Sequence, residues 1–154
     1  MIRASQNGNP GVLEWIFKTW KRENYPLNVN ALSVSSKKTP LFLACQMGYV
    51  NVVSARTPQT KLNRLQIVTI LVENGAEIDL VDKISGMTPL HWAAYHDDSD
   101  LVKYLLKKGA KIKFSLENFT PVDIAGFCQN ANVVKVFCRD LEKFIEAEAD
   151  ELMN

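Results

Sequence analysis

Side chains capable of chemistry are few in this chain, and their spacing argues against catalysis. His91 and His96 are the only histidines. Five residues apart, they do not share a helical face as two metal ligands would. The run Asp97-Asp98-Ser99-Asp100 supplies carboxylates. It lacks the twelve-residue loop, central glycine and closing bidentate glutamate of a calcium hand, and acids ahead of a helix read better as caps favoured by its dipole. Cys45 has no histidine nearby to activate a thiolate and reads as a small buried side chain. Cys45, Cys128 and Cys138 form no CxxC or CxxH pattern and leave an odd thiol in any pairing, which points to a reducing compartment. The glycines are isolated and serve turns, so no loop cradles phosphate. The expectation is a non-enzyme with no catalytic residue, no metal and no cofactor.

Composition fits a folded domain: 47% hydrophobic and 23% charged residues over 154 positions. The net charge of +1 conceals an asymmetry. Residues 1–64 hold nine Lys/Arg against two acids, and residues 65–154 hold nine against fifteen. A bipolar molecule of this kind can steer partners at either end or associate head to tail with itself. The N-terminal bases are scattered and no aromatic-interleaved strand motif accompanies them, so nucleic-acid binding is not expected. No apolar run reaches eighteen residues, and the first residues lack the apolar core of a signal peptide. No membrane insertion is therefore expected, and the chain is placed in the cytoplasm or nucleus.

The elements that would carry these residues repeat. Thr39-Pro40-Leu41-Phe42-Leu43-Ala44-Cys45, Thr88-Pro89-Leu90-His91-Trp92-Ala93-Ala94 and Thr120-Pro121-Val122-Asp123-Ile124-Ala125-Gly126 align with one another. Each is followed by a second apolar segment, two of which close on Gly75-Ala76 and Gly109-Ala110. Threonine at a helix head accepts a backbone N–H bond, and the proline after it is preset for the first turn. Glycine supplies the left-handed residue that ends the second helix. One such unit cannot bury its own apolar side, so neighbours must stack.

These segments resemble the ankyrin repeat, with its Thr-Pro-Leu-His-x-Ala signature and period near 33 residues. The resemblance implies an all-α ankyrin-repeat solenoid of helix–turn–helix units with short hairpin-like loops, plus a C-terminal helix. Repeats are expected at about 1–30, 31–79, 80–113 and 114–138, with residues 139–154 as an amphipathic helix that caps the last repeat or docks on a partner. The sequence departs from the pattern in several places. Repeat two carries an insertion somewhere within 49–68, expected to project as a basic loop. Asp97 and Gln129 replace the glycine between the paired helices. Phe42 and Asp123 replace the signature histidine, which in the family ties neighbouring loops together. Trp92 reads as core, and of Trp15 and Trp20 at least one should be buried.

In the family, contacts come from the finger-like loops before Thr-Pro and from the two positions after Ala-Ala. Carried over residue by residue, this implies a partner-binding surface at Met47, Ile84, Met87, Tyr95, His96, Leu116, Phe119 and Phe127. Lys38, Gln46, Lys83, Ser85, Glu117 and Cys128 stand at neighbouring positions of the same kind. Arg56, Lys61 and Arg64 of the insertion form a secondary candidate surface. Apolar and aromatic residues at positions that are polar when unused mark an interaction site. The expected function is a non-catalytic protein–protein interaction module, an adaptor or a subunit of a larger assembly, with one or more proteins as partners. The alternative is a small ankyrin-type inhibitor of an enzyme such as a protein kinase.

Overall fold

The structure is a computed structural model that describes residues 1–24, 26–46 and 58–152, with side chains described for these except 58–60 and 143–152. Its elements are α1 (Ile2–Gln6), α2 (Pro10–Glu23), α3 (Pro40–Gln46), α4 (Pro58–Glu73), α5 (Pro89–Tyr95), α6 (Ser99–Lys107), α7 (Pro121–Phe127) and α8 (Ala131–Leu152). Among the described residues there is no strand. Each anchor begins a first helix: Pro40, Pro89 and Pro121 are the first residues of α3, α5 and α7. Thr39 Oγ1 accepts the Phe42 N–H at 3.2 Å and Thr120 Oγ1 accepts the Asp123 N–H at 3.2 Å, so the threonines cap as their type requires.

First helices pack in one row, α1–α3–α5–α7, and second helices in another, α2–α4–α6–α8. Leu13, Leu41, Ile67, Leu71, Leu90, Leu105 and Phe137 are buried between the rows in one continuous core. Ala93 and Ala94 are fully buried, where larger side chains would hold the helices apart. The turn between paired helices needs a left-handed residue, supplied by Gly8 (φ 72°), Asp97 (φ 54°) and Gln129 (φ 57°). The first repeat therefore follows the same plan as repeats three and four, with α1 ending just before Gly8.

Three expectations are corrected here. The insertion in repeat two does not place Lys61 and Arg64 on a projecting loop, because α4 starts at Pro58 and runs 16 residues against 9 for α6. About two extra turns of helix therefore carry both residues, and the Leu65-Gln66-Ile67-Val68 stretch is part of the second helix. Residues 47–57, with Met47 and Arg56, lie outside the described residues. Second, the C-terminal helix is present but does not start afresh at residue 139: it continues the second helix of repeat four within the 22-residue α8. Leu141, on the face assigned to capping, is 53% exposed. Third, neither Trp15 nor Trp20 is fully buried. Leu13 and Phe17 fill the core of repeat one, and Trp20 packs at its edge, edge-to-face with Phe17 at 5.9 Å.

Candidate interaction surface

The signature histidine shows how sequence sets the concave side. His91 is fully buried; its Nδ1 accepts the Thr88 N–H at 3.0 Å, and its Nε2 lies 3.0 Å from the Phe119 carbonyl. One ring nitrogen accepts and the other donates only in the neutral imidazole. Burial lowers the His91 pKa, partly countered by the bond to Phe119, in keeping with that form. The histidine thus fixes the finger of repeat four to α5. Where Phe42 replaces it, aromatic packing stands instead: Phe42 is buried, edge-to-face with Trp92 at 6.2 Å, and the Lys38 ammonium lies 5.0 Å from its ring centroid. Asp123 at the same position turns back on its own helix start, accepting from Thr120 N–H at 2.7 Å and Oγ1 at 2.6 Å. Those bonds hold its carboxyl below the usual range.

The fingers are braced within themselves and against each other. Asp82 N–H donates to the Met87 carbonyl at 2.9 Å, and Ser115 N–H to the Phe119 carbonyl at 2.9 Å. At the tips, Leu116 N–H donates to the Ser85 carbonyl at 2.9 Å. Gly86 permits this approach. Its φ is +68°, and a Cβ there would lie 2.7 Å from the Leu116 nitrogen.

Between these fingers and α7 lies a groove of about 350 Å³, lined by Ser85, Met87, Tyr95, Ser115, Glu117, Phe119, Ile124, Phe127 and Cys128. Phe119 and Phe127 meet edge-to-face at 5.3 Å, and Phe127 remains 75% exposed. Tyr95 packs edge-to-face on Trp92 at 5.7 Å. Trp92 is half-buried against the core, as its anchor position implied. Water covers this apolar wall in the free chain, so a complementary side chain that displaced it would gain hydrophobic free energy.

Of the residues proposed from sequence, Met87, Tyr95, Phe119 and Phe127 converge on this groove, joined by Ser85, Glu117 and Cys128. Ile84 and Leu116 are 81% and 69% exposed on the finger tips beside it. His96 is a correction. It is 4% exposed, stacked on Trp92 at 6.0 Å with Nε2 3.4 Å from the Gln46 carbonyl, and presents nothing outward. Gln46 and Lys38 bond each other at 3.2 Å, and Lys83 is exposed. Lys61 and Arg64 are the other corrections. Lys61 Nζ donates to the Asp97 carbonyl at 2.6 Å, and Arg64, 1% exposed, pairs with Asp98 at 2.8 Å. They hold α4 to the α5–α6 turn of the next repeat.

Sequence reading missed Ile124 and Ser115 in the groove, and Phe114, 70% exposed. These lie at neither of the two family positions carried over, although Phe114 was legible as a large apolar residue just before a finger. It also missed the ties between repeats. Asn30 accepts the Glu77 N–H at 2.9 Å and Asp79 accepts the Lys111 N–H at 3.1 Å. The buried Asn130 amide donates to the Ala94 and Tyr95 carbonyls at 2.7 and 3.1 Å. Among the described residues no cluster of three or more His, Cys, Asp or Glu could hold a metal ion. Burial pushes the Cys45 thiol up to about 12, which keeps it protonated and unreactive. No helix among the described residues is long and apolar enough to cross a membrane.

Stacked helix pairs, Thr-Pro anchors at the starts of α3, α5 and α7 and a finger-lined concave groove define a repeat protein, and comparison with known proteins gives the family. A family model described as ankyrin repeats in three copies matches residues 59–148, and the chain belongs to the ankyrin-repeat family. It is 33% identical over 100 residues to ankyrin repeat and SAM domain-containing protein 6 of Mus musculus, covering 64% of this chain and 10% of that one. It is similar to alpha-latrocrustotoxin-Lt1a of Latrodectus tredecimguttatus, 34% over 88 residues, covering 56% of this chain and 5% of that one. It is also similar to I-Kappa-B like protein G2 of Microplitis demolitor bracovirus, 36% over 69 residues, covering 44% and 41%. The match thus spans a tenth of the mouse relative. Ankyrin repeats are generally protein–protein interaction modules and typically non-enzymatic, and none of these relatives bears an enzyme's name.

Proposed function

We propose that this chain is a non-catalytic adaptor, or a subunit of a larger protein assembly, that takes a partner protein into the groove between the fingers of repeats three and four. The observation that carries the reading is the aromatic wall of Tyr95, Phe119 and Phe127, left open to water on a braced scaffold. Aromatic anchors in a preformed pocket dominate the binding energy of protein interfaces, and fingers already fixed by His91 and Gly86 lose little entropy on binding. Glu117 in the same lining favours a partner whose apolar anchor is flanked by a cation. The three free thiols Cys45, Cys128 and Cys138 suit a cytoplasmic or nuclear setting.

The test is quantitative binding of a partner recovered from the native source. Changing Tyr95 and Phe119 together to Ala is expected to weaken binding by about 2–4 kcal/mol, with the far-ultraviolet circular dichroism of the folded chain retained. Equal affinity of the variant and the natural chain would refute the assignment.

A further inference from the structure

Resting on the reading of the groove as the partner site, we propose that the side chain a partner inserts there is a methylated lysine, held among the rings of Tyr95, Phe119 and Phe127 beside the carboxylate of Glu117. Shape comes first. Phe119 and Phe127 stand at 86° to each other with centroids 5.3 Å apart, and Tyr95 lines the same groove. A flat side chain can cover one wall of such a corner, whereas the tetrahedral head of a methylated ammonium touches both. The volume of about 350 Å³ lies at the lower end for ligand pockets and suits a single side chain.

The walls are held before any ligand arrives. Tyr95 packs edge-to-face on Trp92 at 5.7 Å and on His96 at 5.3 Å. The Phe119 backbone is pinned on both sides, its N–H donating to Ser115 Oγ at 3.1 Å and its carbonyl lying 3.0 Å from His91 Nε2. Rings fixed in advance lose little freedom on binding.

Charge and hydrogen bonding then select the head group. From Phe114 to Cys128 the chain carries two acids, Glu117 and Asp123, and no base. Glu117 is the charged residue of the lining. Ser85 Oγ donates to Asp82 at 2.8 Å and Ser115 Oγ accepts the Phe119 N–H, so both hydroxyls serve the fingers themselves. An unmodified lysine would bring all the N–H donors of its ammonium against apolar walls that offer few acceptors, which costs free energy. Each methyl group replaces a donor, adds apolar surface for the rings and leaves the positive charge in place. Aromatic faces attract such a charge through their quadrupoles, and the Glu117 carboxylate adds to the attraction. A neutral anchor would gain the apolar contact alone.

Amide NMR titration of the full chain with short alanine-rich peptides tests this. One peptide carries trimethyllysine, one unmodified lysine, and one the uncharged isostere with carbon in place of the ammonium nitrogen. The trimethyllysine peptide is expected to shift the amides of Tyr95, Phe119 and Phe127 and to bind about tenfold tighter than either of the others. Phe127→Leu keeps an apolar wall but removes a ring, and position 127 is 75% exposed, so the fold should persist. In that variant, and in Glu117→Gln, the margin of the cation over the isostere should narrow. Choline has a similar head but no flanking chain to meet the exposed Ile84 and Leu116, so it should bind more weakly than the peptide. An isostere that binds as tightly as the cation, choline that binds as tightly as the peptide, or a groove that the methylated peptide does not shift overturns the proposal. The adaptor reading survives any of these results; it falls separately, if the native partner is indifferent to the change of Tyr95 and Phe119.

Discussion

Arg64 and Asp98, 1% and 3% exposed at the side chain, meet at 2.8 Å between repeats two and three. Asp98 also caps α6 by accepting the Leu101 N–H at 3.2 Å, so one carboxylate serves an ion pair and a helix start. Burial pushes the Asp98 carboxyl above the usual range, and Arg64 pulls it partly back. Changing Arg64 to Met would strand a buried carboxylate at a cost of about 3–5 kcal/mol, measured by denaturant unfolding at neutral pH. Without the cation the folded-state pKa of Asp98 rises further above its unfolded value. The folded variant then binds a proton more readily than the unfolded one, so the deficit should shrink as the pH falls through that raised pKa. Adding Asp98→Asn, which keeps the cap acceptor, should recover much of the loss. A deficit that grows toward acid pH would contradict this picture. Sequence alone hid the pair, because Arg64 stood in an apparent basic insertion and nothing local revealed that extra helix would bury it against the next repeat. His96 was misread for a related reason: its position in the motif is a surface position, but here its ring stacks on Trp92.

Helices and turns were legible where a local rule decides them. The Thr-Pro anchors fixed the starts of α3, α5 and α7, and the closing glycines at 75 and 109 have φ of 92° and 89°. Element lengths were not legible, since α4 starts about two turns early and α8 runs on past the repeat, and periodicity alone sets no bounds. The turn at Gln129 is a local cost, because a glutamine with φ 57° holds its Cβ in the disfavoured left-handed region. Gln129→Gly should relieve strain of about 1 kcal/mol, less the added freedom of glycine in the unfolded chain. The expected result is a higher melting temperature by differential scanning calorimetry. A lower one would mean that the side chain contributes more than its backbone costs.

At the scale of the whole molecule, four helix pairs share one elongated core and leave three kinds of surface: a concave side with fingers, a convex side of second helices, and two ends. Among the described residues, sequence positions and geometry meet at the concave groove, on Met87, Tyr95, Phe119 and Phe127. It was legible because a solenoid buries its motif residues and leaves the intervening ones outward, so apolar residues there are conspicuous. The tip-to-tip bond from Leu116 to Ser85 was not legible, since it depends on how two fingers stack rather than on either alone. A photo-reactive phenylalanine analogue at Phe127, compared with one at the exposed Lys103 of α6, tests the central claim most directly. Irradiation in the native extract should join a discrete protein to the chain labelled at 127, with a much weaker yield from 103. Efficient crosslinking from 103 with none from 127 would place the partner on the other side of the molecule and contradict the account.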